Sequence, residues 1–490
     1  MGILEKFDPI IKRLPGVKKP DKPLSLREKL LWSGIIMSAY FLLFGIPAYG
    51  VNQAALSAPG IEQLISIVFA ARIGTLITVG ISPIVVAGIV FSFLSGADIL
   101  KIDQNDPASR TRMQGLQKLT AIIIAVAEAY IFTATGQVQL LAPGFFGIVV
   151  IQLFIGALMI IYLDEAMSKW GITSGINLFI AGNVSYSIVA GTISILVPEA
   201  IFALSPASGA GAAAIPQAIQ AFGPLFFAIV VLLVAIYAYD INVEIPLVFS
   251  QFRGVGGRFP IPLLYVSVLP VVLATALQLN LVLLLTFLAH YQGFGVSVVH
   301  FIASYTPSSG GSPTLSGGLL YLTYPSFPLP YLSKYGGIGG YGNYFSYFFT
   351  VSTPLTLPGG AIIYIPEWIH AITYTLALII LCIIFGKFWT SMAGQNSKAL
   401  AGQLQDYGWQ IPGFRRDPRT IESVLDRYVP TIITMGSIFV ALLAAFAQLT
   451  DAIGTGMGIL LTVGIVYMIY KQLEQENAIQ GYPALDKLLK

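Results

Sequence analysis

The chain has 490 residues, of which 56% are hydrophobic and 10% charged, with a formal net charge of +3 and a mean hydropathy of +0.79. Water-soluble globular domains carry about 25% charged residues, so this composition excludes a soluble globule and points to a polytopic membrane protein. The single cysteine, Cys382, set in an apolar run, excludes a disulfide or thiolate metal site, and three dispersed histidines argue against a His-based one.

Residues 1–30 carry eight Lys and Arg among turn-formers and read as a basic, partly amphipathic segment on the membrane surface. With no signal peptide ahead of the first long apolar run, the N-terminus is expected to stay in the cytoplasm. Ten spans follow, at about 31–50, 73–94, 117–136, 142–163, 171–194, 222–240, 263–290, 366–390, 429–449 and 455–472.

The stretch around the second span stands apart. Pro59–Ala71 is apolar but too short to cross, Arg72 adds a charge, and Ile73–Leu94 then runs for 22 uncharged residues, about 33 Å as a helix. A short apolar helix feeding a full span reads as a re-entrant segment folded back into a cavity.

With the N-terminus inside, 24 of the 26 Lys and Arg fall on the cytoplasmic side, all but Arg72 and Lys334. Both termini are therefore expected to be cytoplasmic. The spans divide into a first half at 31–194 and a second at 222–472, joined by an external link at 195–221. An odd number per half makes the two halves inverted relative to one another. Loops at 240–262 and 387–428 and a tail at 473–490 are expected inside. A long Tyr-, Gly-, Ser- and Pro-rich segment at 291–366 is expected outside, as a cap without a direct role.

Glu128 is the only acid well inside a span, and Asp240 sits at a span end. Ion-coupled transporters place ionisable groups at membrane depth. No G-x-x-x-x-G-K-[ST] run and no nucleophile–base pair is present, so enzyme readings find no support. What the interior does offer is aliphatic pairs on Gly-rich helices, Ile81 with Val85 and Ile172 with Ile176, each four residues apart. Ordinary helix packing and a hydrophobic constriction that gates by dewetting both fit this spacing.

Five runs resemble one family. RIGTLITVGISPIVVAGI (Arg72–Ile89), YLDEAMSKWGITSGINLFI (Tyr162–Ile180), VEIPL (Val243–Leu247), GFRR (Gly413–Arg416) and GILLTVGIVY (Gly458–Tyr467) are similar, in order along the chain, to SecY, in its archaeal and eukaryotic branch. The resemblance implies an all-α protein of ten membrane helices around an hourglass pore, the channel subunit of the Sec translocon. It implies a waist ring of Ile81, Val85, Ile172, Ile176, Val272 and Leu461. It makes Gly60–Ala71 the plug, with Ile61, Leu64, Ile65 and Val68 on it and Arg72 beside it. Arg72 is read either as a cation that repels positive flanks of an entering signal or as a snorkelling interfacial residue.

The family opens sideways into lipid at a polar seam, here Glu128 and Asn280, with Val86 where a Thr is usual. Its internal loops dock the ribosome or a motor, which makes Arg253, Arg258, Arg415 and Arg416 candidates for contacts with rRNA phosphates. The implied partners are SecE-like and Sec-beta-like small subunits, the ribosome, signal sequences and nascent chains, and membrane lipid. The implied location is the cell membrane, with no cofactor, no metal and no enzymatic step. The rival reading is a five-plus-five inverted-repeat transporter of small solutes, which would need ion-coordinating polar groups at the midplane. A lipid-embedded scaffold is a third reading and leaves the plug-like segment unexplained.

Overall fold

The computed structural model describes residues 13–22, 24–52, 66, 68–96, 107–209, 211–249, 256–264, 269–290, 302–306, 314–325, 327, 330, 339–356, 362–406, 409–410 and 418–480. Membrane helices dominate it. Helices α1 (Leu26–Gly45), α2 (Ser82–Gly96), α3 (Pro107–Ala134), α4 (Phe146–Trp170) and α5 (Gly175–Gly191) build the first half. A π turn over Thr192–Leu196 joins α5 to α6 (Val197–Leu204), and α7 (Ala214–Gln220) leads to α8 (Gly223–Asp240). The second half adds α9 (Leu269–His290), the short α10 (Tyr341–Thr350), α11 (Glu367–Met392), α12 (Ser397–Asp406), α13 (Pro418–Leu449) and α14 (Gly456–Gln480). Seven stretches are long and apolar enough to cross a membrane, and two shorter apolar helices, Ser82–Leu94 and Gly456–Lys471, join them. With α1 they match the ten expected spans, so the all-α polytopic architecture holds.

The second span is not the continuous helix expected over 73–94. Only α2, 15 residues long, is helical, and at 1.5 Å per residue it covers about 22 Å. The nine residues before it form turns because Gly74 and Gly80 adopt φ of 84° and 59°, a region open to glycine. Hydroxyls serve the carbonyls that a helix would otherwise satisfy: Thr75 Oγ1 donates to Arg72 O at 2.7 Å and Thr78 Oγ1 to Thr75 O at 2.6 Å. Ile73, Ile77, Val79 and Ile81 are all buried, the setting in which irregular backbone survives at membrane depth. Helix α4 comes so close that a Cβ on Gly156 would sit 1.8 Å from Leu76 O.

The fifth span also departs from its expected end at 194. Pro198 cannot donate a backbone hydrogen bond, and the chain absorbs this with the π turn, where Val197 N donates to Thr192 O, then stays helical to Leu204. The basic N-terminal segment is tied down from residue 15 onward. Lys118 Nζ, within α3, and Lys169 Nζ, in the last turn of α4, donate to Pro15 O and Val17 O and both pair with Glu165 at 2.6 Å. Trp170 Nε1 donates to Lys18 O at 2.9 Å. Ser25 and Glu28 then form a reciprocal capping box that starts α1.

The two loops expected on the cytoplasmic side meet in one antiparallel sheet. Strands β1 (Asn242–Phe249) and β2 (Gly256–Pro262) form a hairpin, and the short strand Trp409–Gln410 pairs with the end of β1 through Val248–Gln410 and Phe249–Trp409. A small separate core of Ile261, Leu404, Leu425 and Ile433 among others lies with it. The main core is one continuous apolar cluster drawn from both halves, and α2 contributes to it while packing against α3, α9 and α11.

Candidate functional site

The two expected waist residues of the second span lie where α2 begins. Ile81 precedes the first helical residue, and Val85 N donates to Ile81 O at 3.1 Å, so the two lie one turn apart. Ile81, Val85, Val272 and Leu461, from the second, seventh and tenth spans, are 0–3% exposed and belong to the same apolar cluster. Ile176 packs against that cluster.

Ile172 does not share a helical face with Ile176. Helix α5 starts at Gly175, and Ile172 lies three residues before it with its N–H bonded to Ser33 Oγ at 3.1 Å. The start is fixed by Asp164 of α4, whose Oδ1 accepts from Ile176 N at 2.9 Å. One turn beyond Ile176, Ile180 is fully buried in the cluster. The residues that sequence spacing pairs on this helix are therefore Ile176 and Ile180.

Of the expected plug, Ile61, Leu64 and Ile65 lie outside the described residues, while Ser66 and Val68–Ala71 at its root are described. Val68 is buried. Ala71 N donates to Ser66 O at 3.0 Å with Ala70 at φ 46°, a helix-terminating closure in which Ala70 takes a left-handed conformation that usually falls to glycine. Three donors hold this root by its carbonyls. Tyr40 of α1, fully buried and stacked on Phe179, donates from its hydroxyl to Ala70 O at 2.8 Å. Asn183 of α5 donates from Nδ2 to Ser66 O at 2.6 Å. Ile81 N donates to Phe69 O at 2.8 Å, so this stretch is bonded directly to an expected waist residue. Arg72, exposed, sits with its guanidinium 5.4 Å from the Phe44 ring centroid. A small cavity of about 30 Å³ beside Val68 is bounded by Thr275, Gln278 and Met457.

Where the seam between α2, α3 and α9 is expected, a further polar residue joins Glu128 and Asn280. Glu128, 6% exposed, accepts from Ser82 Oγ at 2.9 Å, and the Asn280 side-chain amide lies 3.4 Å from the same oxygen while donating to Ala276 O at 2.9 Å. Ser82 thus touches both, one helical turn before Val86, which is half-buried and has no polar atom on its side chain. The second oxygen of Glu128 has no protein partner. Burying a carboxyl with so few donors is costly, which makes the Ser82 hydroxyl the principal tie across α2 and α3.

Arg253, Arg415 and Arg416 lie outside the described residues. Arg258 stands on β2, in register with Pro246 of β1. No group of three or more His, Cys, Asp or Glu suited to a metal occurs among the described residues.

A family model described as SecY matches residues 75–470. Protein translocase subunit SecY of Methanocaldococcus jannaschii is 36% identical over 489 residues, covering 99% of this chain and 100% of that protein. The Methanococcus vannielii subunit is 37% identical with 99% of each covered. Among solved structures, a protein conducting channel superposes with a TM-score of 0.76 at 35% identity, covering 98% of this chain and 99% of that one. Sec61 in a canine ribosome–channel complex from the endoplasmic reticulum gives a TM-score of 0.73 at 34% identity, with the same shares covered. A family model matched over most of the chain, relatives 36–37% identical over nearly the full length and a shared fold make this chain a member of the SecY family, the channel subunit of the protein translocase.

Proposed function

We propose that transport runs through the waist and that Ile81, Val85, Ile176, Val272 and Leu461, with Ile180 in place of Ile172, form its seal. Such a ring can close around an extended polypeptide without offering it polar partners, so passage tolerates any sequence while a hydrated ion meets a desolvation cost. The observation that carries this reading is the bond from Ile81 N to Phe69 O: the plug root is fastened to the waist, so displacing one disturbs the other. The chain acts as a passive, gated conduit without an enzymatic step, and a partner supplies the energy.

The seam of Ser82, Glu128 and Asn280 is the lateral gate through which apolar segments pass into lipid. Both termini lie in the cytoplasm of a cell whose plasma membrane the chain spans, as the Lys and Arg distribution supports. SecE-like and Sec-beta-like subunits flank it. The loops bearing Arg253, Arg258, Arg415 and Arg416 meet the ribosome through rRNA phosphates, with binding that weakens steeply in salt. The joining of those loops by the pairing of β1 with Trp409–Gln410 supports a single docking face. Full-length chain in planar bilayers tests the seal: Ile81→Ser combined with Val272→Ser should raise resting ion conductance, and an unchanged resting conductance would overturn the ring.

A further inference from the structure

The external-segment helix α10 is held at both ends by the ends of membrane spans. Near its start, Tyr341 and Tyr344 donate from their hydroxyls to Thr450 O and Leu449 O, where α13 finishes. Just past its end, Val351 O accepts from Glu367 N, the first residue of α11, at 3.1 Å. The two ends of α10 are thus fastened where one span finishes and another starts.

Its faces are sorted accordingly. Tyr344 and Phe348 are buried against the protein, and Asn343, Ser346 and Thr350 form an exposed polar side. Phe345 and Phe349, one turn apart on the flank between them, are 47% and 78% exposed. Beside it, strand Ile362–Pro366 of the hairpin with Ser352–Thr356 exposes Ile362, Ile363 and Tyr364. Span α11 itself exposes Trp368, Ile372, Leu376 and Ile380 at four-residue spacing, one apolar side of the kind that a membrane span turns to lipid. Residues 291–366 carry one charge, Lys334. A helix with an aromatic flank and a polar side, fastened at span ends, has the make-up of an interfacial helix, and aromatic residues concentrate at the headgroup level.

We propose that α10 and the hairpin form an interfacial plate whose partner is the lipid bilayer itself, with Phe345, Phe349 and Tyr364 seated at the boundary between headgroups and acyl chains. The plate fixes α11 in the membrane. Because α11 packs against α2 and α9, the gate seam then opens against a helix that the bilayer holds still. Nothing in this surface depends on what passes through the pore.

Nitroxide accessibility in the full chain tests it. Single cysteines at Phe345, Phe349, Tyr364, Ser346 and Thr350 are labelled on a Cys382→Ala background and reconstituted at low density into phosphatidylcholine vesicles. Oxygen should relax labels at 345, 349 and 364 several-fold more than a water-soluble nickel chelate does, with the order reversed at 346 and 350. Chelate-dominated relaxation at 345 and 349 would mean they face water, and labels there that neither agent reaches would mean that protein, not lipid, covers them. Either result overturns the proposal. Cys382 is fully buried in the native chain, so the same labels on the native background repeat the measurement if Cys382→Ala folds poorly.

Discussion

Ser82→Ala removes the one hydroxyl that bridges the seam. In the structure Glu128 is buried and, among the described residues, takes one side-chain hydrogen bond, across to α2 from Ser82 at 2.9 Å, with its other oxygen unpartnered. Stripping the donor leaves a buried carboxyl oxygen unsatisfied, which costs about 1–3 kcal/mol. A parted seam lets water take the place of the hydroxyl, so the penalty falls on the closed state alone. That corresponds to about 5- to 150-fold toward the parted form. Fluorophores placed at Val126 of α3 and Leu284 of α9, both well exposed, should report it as a fall in energy transfer in reconstituted chain. Thr286→Val serves as control, because the Thr286 hydroxyl donates to Val282 O on its own helix. Energy transfer unchanged by Ser82→Ala, or lowered equally by the control, would refute the assignment of Ser82 as the tie.

Tyr40→Phe keeps the stack on Phe179 but takes the donor from Ala70 O. At about 0.5–1.5 kcal/mol for the lost bond, spontaneous openings in planar bilayers should become about 2- to 12-fold more frequent; an unchanged frequency would show that the plug root does not rely on it. Gly156→Ala forces a Cβ to 1.8 Å from Leu76 O, an overpacking of about 1–3 kcal/mol or more. It should lower the thermal midpoint of detergent-solubilised chain, whereas Gly147→Ala, with open space at that site, should not. Glu165→Gln removes the acid shared by Lys118 and Lys169. Partly exposed pairs contribute little individually, so trypsin cleavage after Lys18 should accelerate by only about a few-fold, and no acceleration would show that the segment is held otherwise.

The membrane class and the number and order of the spans were legible because apolar run length and the placement of Lys and Arg are read directly from the chain. The break in the second span was half legible. Gly74 and Gly80 allow the turns, but the uninterrupted apolar run hid where the helix begins, which Thr75 and Thr78 settle by serving backbone carbonyls. Isoleucines at 172, 176 and 180 repeat every four residues, so periodicity alone could not choose which two belong to α5. The choice lies with Asp164, twelve residues upstream, whose carboxylate receives the first turn. Ser82 and Val86 share a face for the same reason, and of the two Ser82 has the hydroxyl, which reaches Glu128. The fastening of the plug root left no trace in the sequence, since its acceptors are the main-chain carbonyls of Ser66, Phe69 and Ala70, which every residue possesses. The aromatic wealth of the external segment was visible, yet its placement required the bonds from Tyr341 and Tyr344 to the end of α13.

The central claim is that a polypeptide crosses between aliphatic side chains donated by separate spans. A photoreactive residue at Val85 or Leu461, in chain engaged with a secretory polypeptide stalled in transit, tests it most directly. Covalent capture of the stalled polypeptide from both positions is the predicted result, and labelling of lipid alone would contradict it.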